Sequence, residues 1–361
     1  YLVSGHTNKN MNGPIKNKGY WYYVENGLVV NKNTIVYFNG DWYYIHNGKL
    51  DKDYTGLVDY NGKTYYVVDG VVNHSCNGLT YINGEWCYIV NGVLDTGYNN
   101  LILYNGTWYY VENGKINWHY TNLVQYYGTW YYVENGKINW NKNTLCQVNG
   151  HGTWYYVENG QINWHYQGLV YCNKEWYYIK NGVHQTNYSN LVLYNGTWYY
   201  VKNGKIDWCY TNLVQYHGTW YFVENGKINW GKNTLSQVDG HGTWYYIENS
   251  QINWHYTGLT QYFGTWYYIQ NGALNWSYNG LVYYHGTWFY VHNGQIDWNY
   301  SNLVLYNGTW YYVENGKIDW NKITLSQVDG HGTWYYVENG QINWSYNGYY
   351  NNHTIHNGVV C

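Results

Sequence analysis

Apolar and polar positions alternate within a short phrase that recurs along the whole chain. One copy, at residues 106–118, reads GTWYYVENGKINW. Alternation with a period of two is typical of a β-strand whose two faces meet different surroundings. Asn113-Gly114, in the middle of the phrase, is the two-residue signal for a tight hairpin turn with positive φ at both positions. The phrase therefore predicts a β-hairpin in which Glu112 lies opposite Lys115.

The two faces of this hairpin differ in chemistry. The face without charge, which we expect to form the core, carries Tyr109, Val111, Ile116 and Trp118. The mixed face, expected at the surface, carries Trp108, Tyr110, Glu112, Lys115 and Asn117. An ion pair is expected between Glu112 and Lys115, because cross-strand neighbours of opposite charge attract. Leu123 and Val124, which follow the hairpin, are expected to pack inward.

The phrase occurs fifteen times, and its copies are evenly spaced. The residues at its first aromatic position are Trp21, Trp42, Thr64, Trp86, Trp108, Trp130, Trp154, Trp176, Trp198, Trp220, Trp244, Trp266, Trp288, Trp310 and Trp334. Most steps are 22 residues, and three are 24 residues. Self-similarity at such a period indicates a repeat architecture, in which each copy is one supersecondary unit.

A second period of 90 residues groups the repeats in fours. From residue 86 onward the steps run 22, 22, 24 and 22 residues. Each long step carries a Gly-His-Gly insertion, and at these steps Lys142, Lys232 and Lys322 stand where most other repeats have tyrosine. We expect a bend or a widened junction at each of these places.

These patterns predict an all-β fold, a β-solenoid of stacked hairpin repeats. No segment shows sustained helical periodicity with caps. One hairpin alone is marginally stable in water, whereas stacked neighbours bury a continuous core. The predicted organisation is an N-terminal lead-in at residues 1–18, a single elongated array of fifteen hairpins at residues 19–346, and a C-terminal tail or partial cap at residues 347–361.

The composition narrows the possible partners. The chain has 54 Tyr and 24 Trp, and only 11% of its residues are charged, against about 25% in typical domains. Its net charge is −3 and it contains no Arg, which argues against nucleic acid as a partner because stacking aromatics would then be joined by a basic track. No apolar run is long enough for a membrane span. The chain begins at Tyr1, which we interpret as a processed or truncated product, with a removed leader as one explanation.

The cysteines and histidines of the sequence do not form a pattern typical of a metal site or of a disulfide framework. The six cysteines form no Cys-x-x-Cys pair and are interpreted as substitutions at half-buried repeat positions, with a Cys76–Cys87 bridge as the alternative. His151, His241 and His331 recur at the long steps, with Asp239 and Asp329 upstream of the last two. One histidine per junction is too few for zinc, so we expect a polar elbow, no metal and no cofactor.

The Gly-x-Trp-Tyr-Tyr-Val-x-Asn-Gly phrase resembles the cell-wall-binding repeats of Gram-positive surface proteins. That group includes choline-binding modules, the glucan-binding repeats of glucansucrases and the receptor-binding repeats of large clostridial toxins. The resemblance extends from about Gly19 to Trp344. It implies a β-solenoid in a secreted protein of a Gram-positive bacterium.

In choline-binding relatives, aromatic cages form between successive hairpins from the Trp and the second Tyr of the phrase, with a further Trp from a neighbour. This chain departs from the family pattern after the hairpin, where Ile116-Asn117-Trp118 precedes Leu123 in place of the usual Thr-Gly-Trp. The resemblance implies ligand-binding residues at Trp108, Tyr110, Trp130, Tyr132, Trp154, Tyr156, Trp176, Tyr178, Trp198, Tyr200, Trp220, Trp244, Tyr246, Trp266, Tyr268, Trp288, Tyr290, Trp310, Tyr312, Trp334 and Tyr336.

Two functional hypotheses follow. The first is a non-catalytic secreted or cell-surface protein that binds cell-wall or surface glycans, choline-decorated ones among them, at many equivalent aromatic sites. The alternative is a structural surface fibre or spacer that self-assembles through its solenoid ends or aromatic faces. Catalysis is not expected, since the sequence shows no distinct acid pair, no nucleophile beside a base and no phosphate-binding loop.

Overall fold

The computed structural model describes residues 2–3, 6–7, 9–238, 240–330 and 332–361. Within these residues the protein is all-β, as predicted, and its one helical element is a 3-10 turn at Val328–Gly330. The described residues contain no helix long enough and apolar enough to cross a membrane. A two-stranded pair, Leu2–Val3 with His6–Thr7, precedes the repeats.

Each repeat consists of three antiparallel strands joined by two tight turns. The first strands are Gly13–Asn17, Thr34–Phe38, Gly56–Tyr60, Gly78–Ile82, Asn100–Tyr104, Asn122–Tyr126, Thr144–Val148, Gly168–Cys172, Asn190–Tyr194, Asn212–Tyr216, Thr234–Val238, Gly258–Tyr262, Gly280–Tyr284, Asn302–Tyr306, Thr324–Gln327 and Gly348–Tyr350. The central strands are Tyr20–Glu25, Asp41–His46, Lys63–Val68, Glu85–Val90, Thr107–Glu112, Thr129–Glu134, His151–Glu158, Glu175–Lys180, Thr197–Lys202, Thr219–Glu224, His241–Glu248, Thr265–Gln270, Thr287–His292, Thr309–Glu314, Trp334–Glu338 and His353–His356. The short strands are Leu28–Val29, Lys49–Leu50, Val71–Val72, Val93–Leu94, Lys115–Ile116, Lys137–Ile138, Gln161–Ile162, Val183–His184, Lys205–Ile206, Lys227–Ile228, Gln251–Ile252, Ala273–Leu274, Gln295–Ile296, Lys317–Ile318, Gln341–Ile342 and Val359–Val360.

Both turns of a repeat use the left-handed backbone region that the sequence predicts. Asn113 and Gly114 have φ angles of 51° and 77°, and Asn105 and Gly106 have φ angles of 45° and 76°. Asparagine tolerates this region and glycine enters it without steric cost, so Asn-Gly closes a two-residue hairpin whose twist matches that of its strands.

Successive repeats join through the central strand. One edge of the central strand pairs with the first strand of its own repeat, and the other edge is shared by the short strands of its own repeat and of the next one. Tyr109 therefore lies opposite Lys137, and the amide of Tyr110 donates to the carbonyl of Gly136 at 2.9 Å. This repeated pairing is the stacking that a β-solenoid requires, so the predicted fold class is confirmed.

The chain divides into two compact units, within each of which the same pairing holds. One comprises Tyr1–Gln167 with Ile179–His184, and the other comprises Gly168–Tyr178 with Gln185–Cys361. The predicted single array of fifteen hairpins and its boundaries stay a prediction.

The core lies between consecutive repeats. A typical cluster joins Leu101 and Tyr110 of one repeat to Val124, Val133 and Ile138 of the following one. Because each cluster contains side chains from two repeats, no repeat buries its apolar face alone. Leu123 and Val124 are buried, as predicted.

The predicted face assignment is wrong at two positions. Val111 and Ile116 are buried as expected, but Trp118 is 42% exposed and Tyr110 only 9% exposed. The alternation ends early, because the short strand stops at Ile116. The side-chain oxygen of Asn117 then accepts a hydrogen bond at 2.9 Å from the amide two residues on, and this turn holds Trp118 outside the strand pattern.

The predicted ion pair between Glu112 and Lys115 is also wrong. The two residues do lie opposite each other across the hairpin. However, Lys115 Nζ contacts Glu85 Oε2 of the preceding repeat at 2.5 Å, and Glu112 accepts a hydrogen bond at 2.7 Å from the Asn117 side chain. Repeat stacking brings a second carboxylate within reach of the lysine, which the register of one hairpin does not reveal.

The long steps are accommodated by a local irregularity in the hairpin. At the first of them the central strand extends over His151–Glu158, and the pairing shifts register between Gln147 and Val148. The Gln147 side chain donates to the carbonyl of Gly152 at 2.6 Å and closes the enlarged turn. Two extra residues thus form a β-bulge, so a junction differs from an ordinary step without a break in the stack.

The described cysteines and histidines form neither a disulfide bond nor a metal-binding cluster. All six cysteines are free, so the alternative Cys76–Cys87 bridge is not formed, and Cys76 Sγ lies 3.2 Å from Thr80 Oγ1. His151 is exposed, whereas Asp239, His331 and the side chains of His241 and Asp329 lie outside the described residues. Among the described residues, no three His, Cys, Asp or Glu side chains come together as a metal site would require.

Candidate ligand-binding aromatics

The predicted Trp positions lie where one repeat meets the next. Trp108 is partly buried on its central strand, and its indole packs against Tyr126 of the following repeat with ring centroids 5.1 Å apart. The equivalent contacts, with centroids 5.0 to 5.7 Å apart, are Trp42–Tyr60, Trp86–Tyr104, Trp176–Tyr194, Trp198–Tyr216, Trp244–Tyr262, Trp266–Tyr284 and Trp288–Tyr306. We call the first Trp of each phrase the Trp108 series.

The predicted Tyr positions are packed more deeply. The Tyr110 ring stacks on Tyr120 with centroids 3.9 Å apart, and the Tyr120 hydroxyl donates to the carbonyl of Leu123 at 3.4 Å. Burial, followed by the neighbouring Tyr110, raises the pKa of Tyr120 to about 12. These phenols remain neutral near pH 7, so they can serve as walls of a site but not as bases.

The structure brings the two members of each predicted pair to the same side of the central strand. Trp154 and Trp334 are exposed, and the other indoles of the set are partly buried. The second Tyr is buried at Tyr110, Tyr132, Tyr156, Tyr178, Tyr268 and Tyr336 and half-buried at Tyr200, Tyr246, Tyr290 and Tyr312. The partner that the sequence did not reveal is the tyrosine at the end of the next first strand, Tyr126 for Trp108.

Repeats before a junction carry a different pair of contacts. Lys142 replaces the stacking tyrosine, and its Nζ lies 5.1 Å from the Tyr132 ring centroid and 2.7 Å from Glu134 Oε1. Trp130 then packs in a cluster that contains Val148 in place of the usual tyrosine. A boundary of this kind, partly aliphatic and ionic, recurs every 90 residues, with Lys232 and Val238 at the second junction and Lys322 and Val328 at the third.

The ion pair between Lys142 and Glu134 predicts that the repeat before the junction loses stability in acid. The hydrogen bond from Lys142 lowers the pKa of Glu134, so the carboxylate stabilises the folded state above its unfolded pKa of about 4.3. That contribution disappears as the pH falls through the lowered folded value. In hydrogen exchange between pH 6 and pH 3, amides near Glu134 should lose protection while those near Tyr110 keep theirs. Glu134→Gln should remove the difference, and equal protection losses in both repeats of the natural chain would contradict it.

The stacked tyrosines predict a delayed alkaline titration. Burial raises the pKa values of Tyr98, Tyr120, Tyr188, Tyr256 and Tyr278 to about 12. Because the folded pKa lies above the unfolded value of about 10, this stabilisation is complete below pH 10 and is lost as the pH rises toward 12. Absorbance at 295 nm near pH 11 should show at least about four fewer tyrosinates in the native protein than in guanidinium, since each of these five phenols differs by about 0.8 of a proton between the two states. Identical titration curves in the two solvents would exclude this account.

A second set of tryptophans lies on the surface at a place where the sequence predicted core. We call it the Trp118 series, and its members are 42 to 49% exposed: Trp118, Trp140, Trp164, Trp208, Trp230, Trp254, Trp276, Trp298, Trp320 and Trp344. The Trp118 ring meets Tyr109 nearly edge-on, at 5.9 Å between centroids and 83° between planes. The recurring Ile-Asn-Trp and Ile-Asp-Trp triplets were the available signal, because Asn or Asp after two strand residues favours a turn.

Comparison with known families identifies the repeat. The profile described as choline-binding repeat matches fourteen segments that together make up more than half of the chain. The matched residues are 10–30, 31–51, 53–73, 97–117, 120–139, 141–163, 166–185, 187–207, 210–229, 238–253, 256–275, 277–297, 299–319 and 328–343. No curated protein sequence matches the chain.

Several solved structures are similar to the chain at low sequence identity. CbpJ from Streptococcus pneumoniae is 20% identical, with 91% of this chain and 99% of that chain covered and a TM-score of 0.20. Choline binding protein F from the same species, solved with a peptidoglycan analogue, is 20% identical over 86% of this chain and 98% of that chain, at a TM-score of 0.22. An alternansucrase solved with isomaltotriose is 22% identical over 54% of this chain and only 16% of that chain, at a TM-score of 0.22. On the evidence of the family profile, the chain belongs to the choline-binding repeat family.

Proposed function

We propose that this chain is a non-catalytic binding protein that attaches to cell-wall or other surface polysaccharide at many equivalent sites, with choline-type groups as one class of target. The observation that supports it best is the Trp108 series, in which an indole packs on a tyrosine of the next repeat at one boundary after another. Aromatic faces attract quaternary ammonium groups through cation–π interaction and cover the apolar faces of sugar rings. Membership of the choline-binding repeat family supports the same reading.

Repetition supports a multivalent mode of attachment. A single partly exposed indole gives weak binding, but linked sites raise one another's effective concentration, so that avidity can exceed single-site affinity by about 10²–10⁴. A polymer with repeating groups is the target that such spacing suits. The proposal includes a location outside the cell, as a secreted or cell-surface protein, because its proposed target is a wall or surface polymer.

A binding role agrees with how the polar side chains of the described repeats are used. Glu112 is held by Asn117, Lys115 by Glu85, and Lys142 by Glu134. Each of these groups is engaged in a structural contact that recurs or has close equivalents elsewhere in the chain, rather than aimed at a cleft. The proposal therefore assigns the function to aromatic surfaces.

Retention on purified cell walls tests the proposal. The intact chain should sediment with choline-decorated walls, and free choline should release it if ammonium groups are recognised. If the chain also binds walls that lack choline, and added free choline does not release it, the glycan is the ligand instead. Retention on neither material would contradict the proposal. Light scattering of the same sample distinguishes the fibre alternative, which predicts self-association without wall binding.

A further inference from the structure

We propose that the outer turn of a repeat, between its first and central strands, is a site of spontaneous deamidation wherever it has the sequence Asn-Gly. The inner turn, between the central and short strands, has the same dipeptide in most repeats but is protected by stacking. The six outer sites are Asn39, Asn61, Asn83, Asn105, Asn195 and Asn307. This modification requires no ligand, so it is independent of attachment to a polymer.

Deamidation of Asn105 requires only the chain itself and water. The backbone nitrogen of Gly106 attacks Cγ of the Asn105 side chain, and a C–N bond forms. The carboxamide C–N bond then breaks, and ammonia leaves with the proton of the backbone amide. Water opens the resulting succinimide at the side-chain carbonyl to give aspartate, or at the main-chain carbonyl to give isoaspartate. Asparagine is thermolabile, and glycine after it presents no Cβ to hinder the attack.

Ring closure requires the turn to leave its native conformation. Asn105 and Asn113, at the outer and inner turns of one repeat, are both left-handed, with φ angles of 45° and 51°. In this region, where ψ is about +47°, the next amide nitrogen lies roughly anti to Cβ and too far from Cγ to attack it. Deamidation therefore proceeds through a transiently opened turn, and its rate depends on the free energy of that opening.

The inner turn is held at three points by the preceding repeat and by the segment that connects the two. The amide of Asn113 donates to Asn99 Oδ1 at 2.8 Å, and the amide of Gly114 donates to the carbonyl of Tyr98 at 3.2 Å. The carbonyl of Gly114 accepts from the amide of Tyr88 at 2.7 Å. Gly114 is also buried, so an opened inner turn would break all three hydrogen bonds and separate packed backbone.

The same three contacts recur at other inner turns. Ser189 Oγ accepts from the amide of Asn203 at 3.0 Å, and Ser301 Oγ accepts from the amide of Asn315 at 2.9 Å. The glycine that follows each asparagine makes both backbone hydrogen bonds, at 2.8 to 3.0 Å. Protection is therefore a property of the stack and does not depend on one particular repeat.

The outer turn lies outside this network. Gly106 is exposed, and an added Cβ would meet nothing within 4 Å. In the described part of the chain, no hydrogen bond from another repeat reaches Asn105 or Gly106. The glycines of the other five sites have the same open surroundings: Gly40, Gly62, Gly84, Gly196 and Gly308. The pairing of its own two strands holds the outer turn, so it opens at a lower cost in free energy than the inner turn.

Each event adds one negative charge at an exposed turn. Four of the six sites belong to four consecutive repeats of one compact unit. Conversion of all six sites would change the net charge of the chain from −3 to −9. At the second and third junctions, Asp239 and Asp329 already stand where the first junction has Asn149. The chain thus acquires negative charge with age at a position where the sequence itself contains aspartate.

Peptide mapping of the intact folded chain tests the inference. The protein is incubated in H₂¹⁸O at pH 8 and 37 °C, so that the heavy isotope marks the events of the incubation, and its peptides are then analysed by mass spectrometry. The six outer sites should convert to aspartate and isoaspartate at least about tenfold faster than the inner sites Asn113, Asn203 and Asn315. In guanidinium most of this difference should disappear. Equal rates in the folded chain, or a difference that persists unchanged in guanidinium, would overturn the inference.

A variant of one protecting contact sharpens the test. Asn99→Ala removes the acceptor for the amide of Asn113 and should raise the rate at Asn113 by about 2- to 10-fold, as expected for the loss of one hydrogen bond. Asn99→Thr should restore protection, because Thr121 Oγ1 accepts from the amide of Asn135 at 3.1 Å in the next repeat. Asn135 is the matched control and should keep its rate. An unchanged rate at Asn113, or an equal rise at Asn135, would contradict protection by these contacts.

Discussion

Replacement of Gly114 by alanine is expected to destabilise its repeat by roughly 3 kcal/mol, which combines about 1–2 for a left-handed residue with about 1–3 for overpacking. Gly114 has a φ of +77°, and an added Cβ would lie 2.6 Å from the carbonyl oxygen of Asp95 and 3.0 Å from its carbonyl carbon. These are backbone atoms of the preceding repeat, so they cannot move aside without a shift of the stack. Hydrogen exchange near Gly114 should show the loss, because repeat proteins open locally.

Gly106 provides a matched control in the same repeat. Its φ is +76°, but an added Cβ would meet nothing within 4 Å. Gly106→Ala should therefore cost only the conformational part, about 1–2 kcal/mol. Equal losses for the two variants would show that close approach between repeats does not depend on glycine at this turn.

One repeat already carries a side chain at the constrained turn. Ser250 is fully buried with a φ of 61°, and its hydroxyl contacts the carbonyl oxygen of Asn229. Ser250→Gly is expected to stabilise this repeat, since it removes both the left-handed strain and the crowding. A loss of stability would show that the hydroxyl contact outweighs them.

Removal of four indoles of the Trp108 series is expected to weaken attachment to a polymer by about 10² or more, because avidity multiplies the loss of single sites. A suitable variant changes Trp176, Trp198, Trp266 and Trp288 to leucine. Leucine keeps the boundary apolar while it removes the aromatic face. Surface plasmon resonance on immobilised wall polysaccharide, at a fixed density, measures the effect.

The Trp118 series supplies a control of equal size. In this control Trp208, Trp230, Trp276 and Trp320 are changed to leucine. These four indoles are more exposed than the Trp108-series indoles changed in the test variant. This control should bind nearly as well as the natural chain. Circular dichroism of both variants checks that the fold is kept, and an equal loss of binding in the control would contradict the assignment to the Trp108 series.

Local signals predicted the hairpin well. Asn113-Gly114 and Asn105-Gly106 determine two turns because both residues of each pair adopt positive φ angles. The period-two alternation correctly predicts Val111 and Ile116 in the core. These features depend on residues adjacent in the chain, so the sequence contains all the information that they require.

Features that depend on stacking could not be predicted in the same way. Trp118 was expected in the core because alternation was extended beyond a short strand of only two residues. Tyr110 was expected at the surface, yet Tyr120 covers it, and Lys115 reaches Glu85 thirty residues back. The offset between repeats decides these contacts, and no residue of the phrase specifies that offset by itself.

The central claim is that many equivalent aromatic boundaries attach this chain to a surface polymer. The most direct measurement is the affinity of full-length chains for purified cell-wall polysaccharide as indoles of the Trp108 series are changed to leucine two at a time. The account predicts that the logarithm of the affinity falls step by step with each pair removed. An affinity that stays constant until one particular repeat is altered, or an intact chain that does not bind the polymer at all, would contradict it.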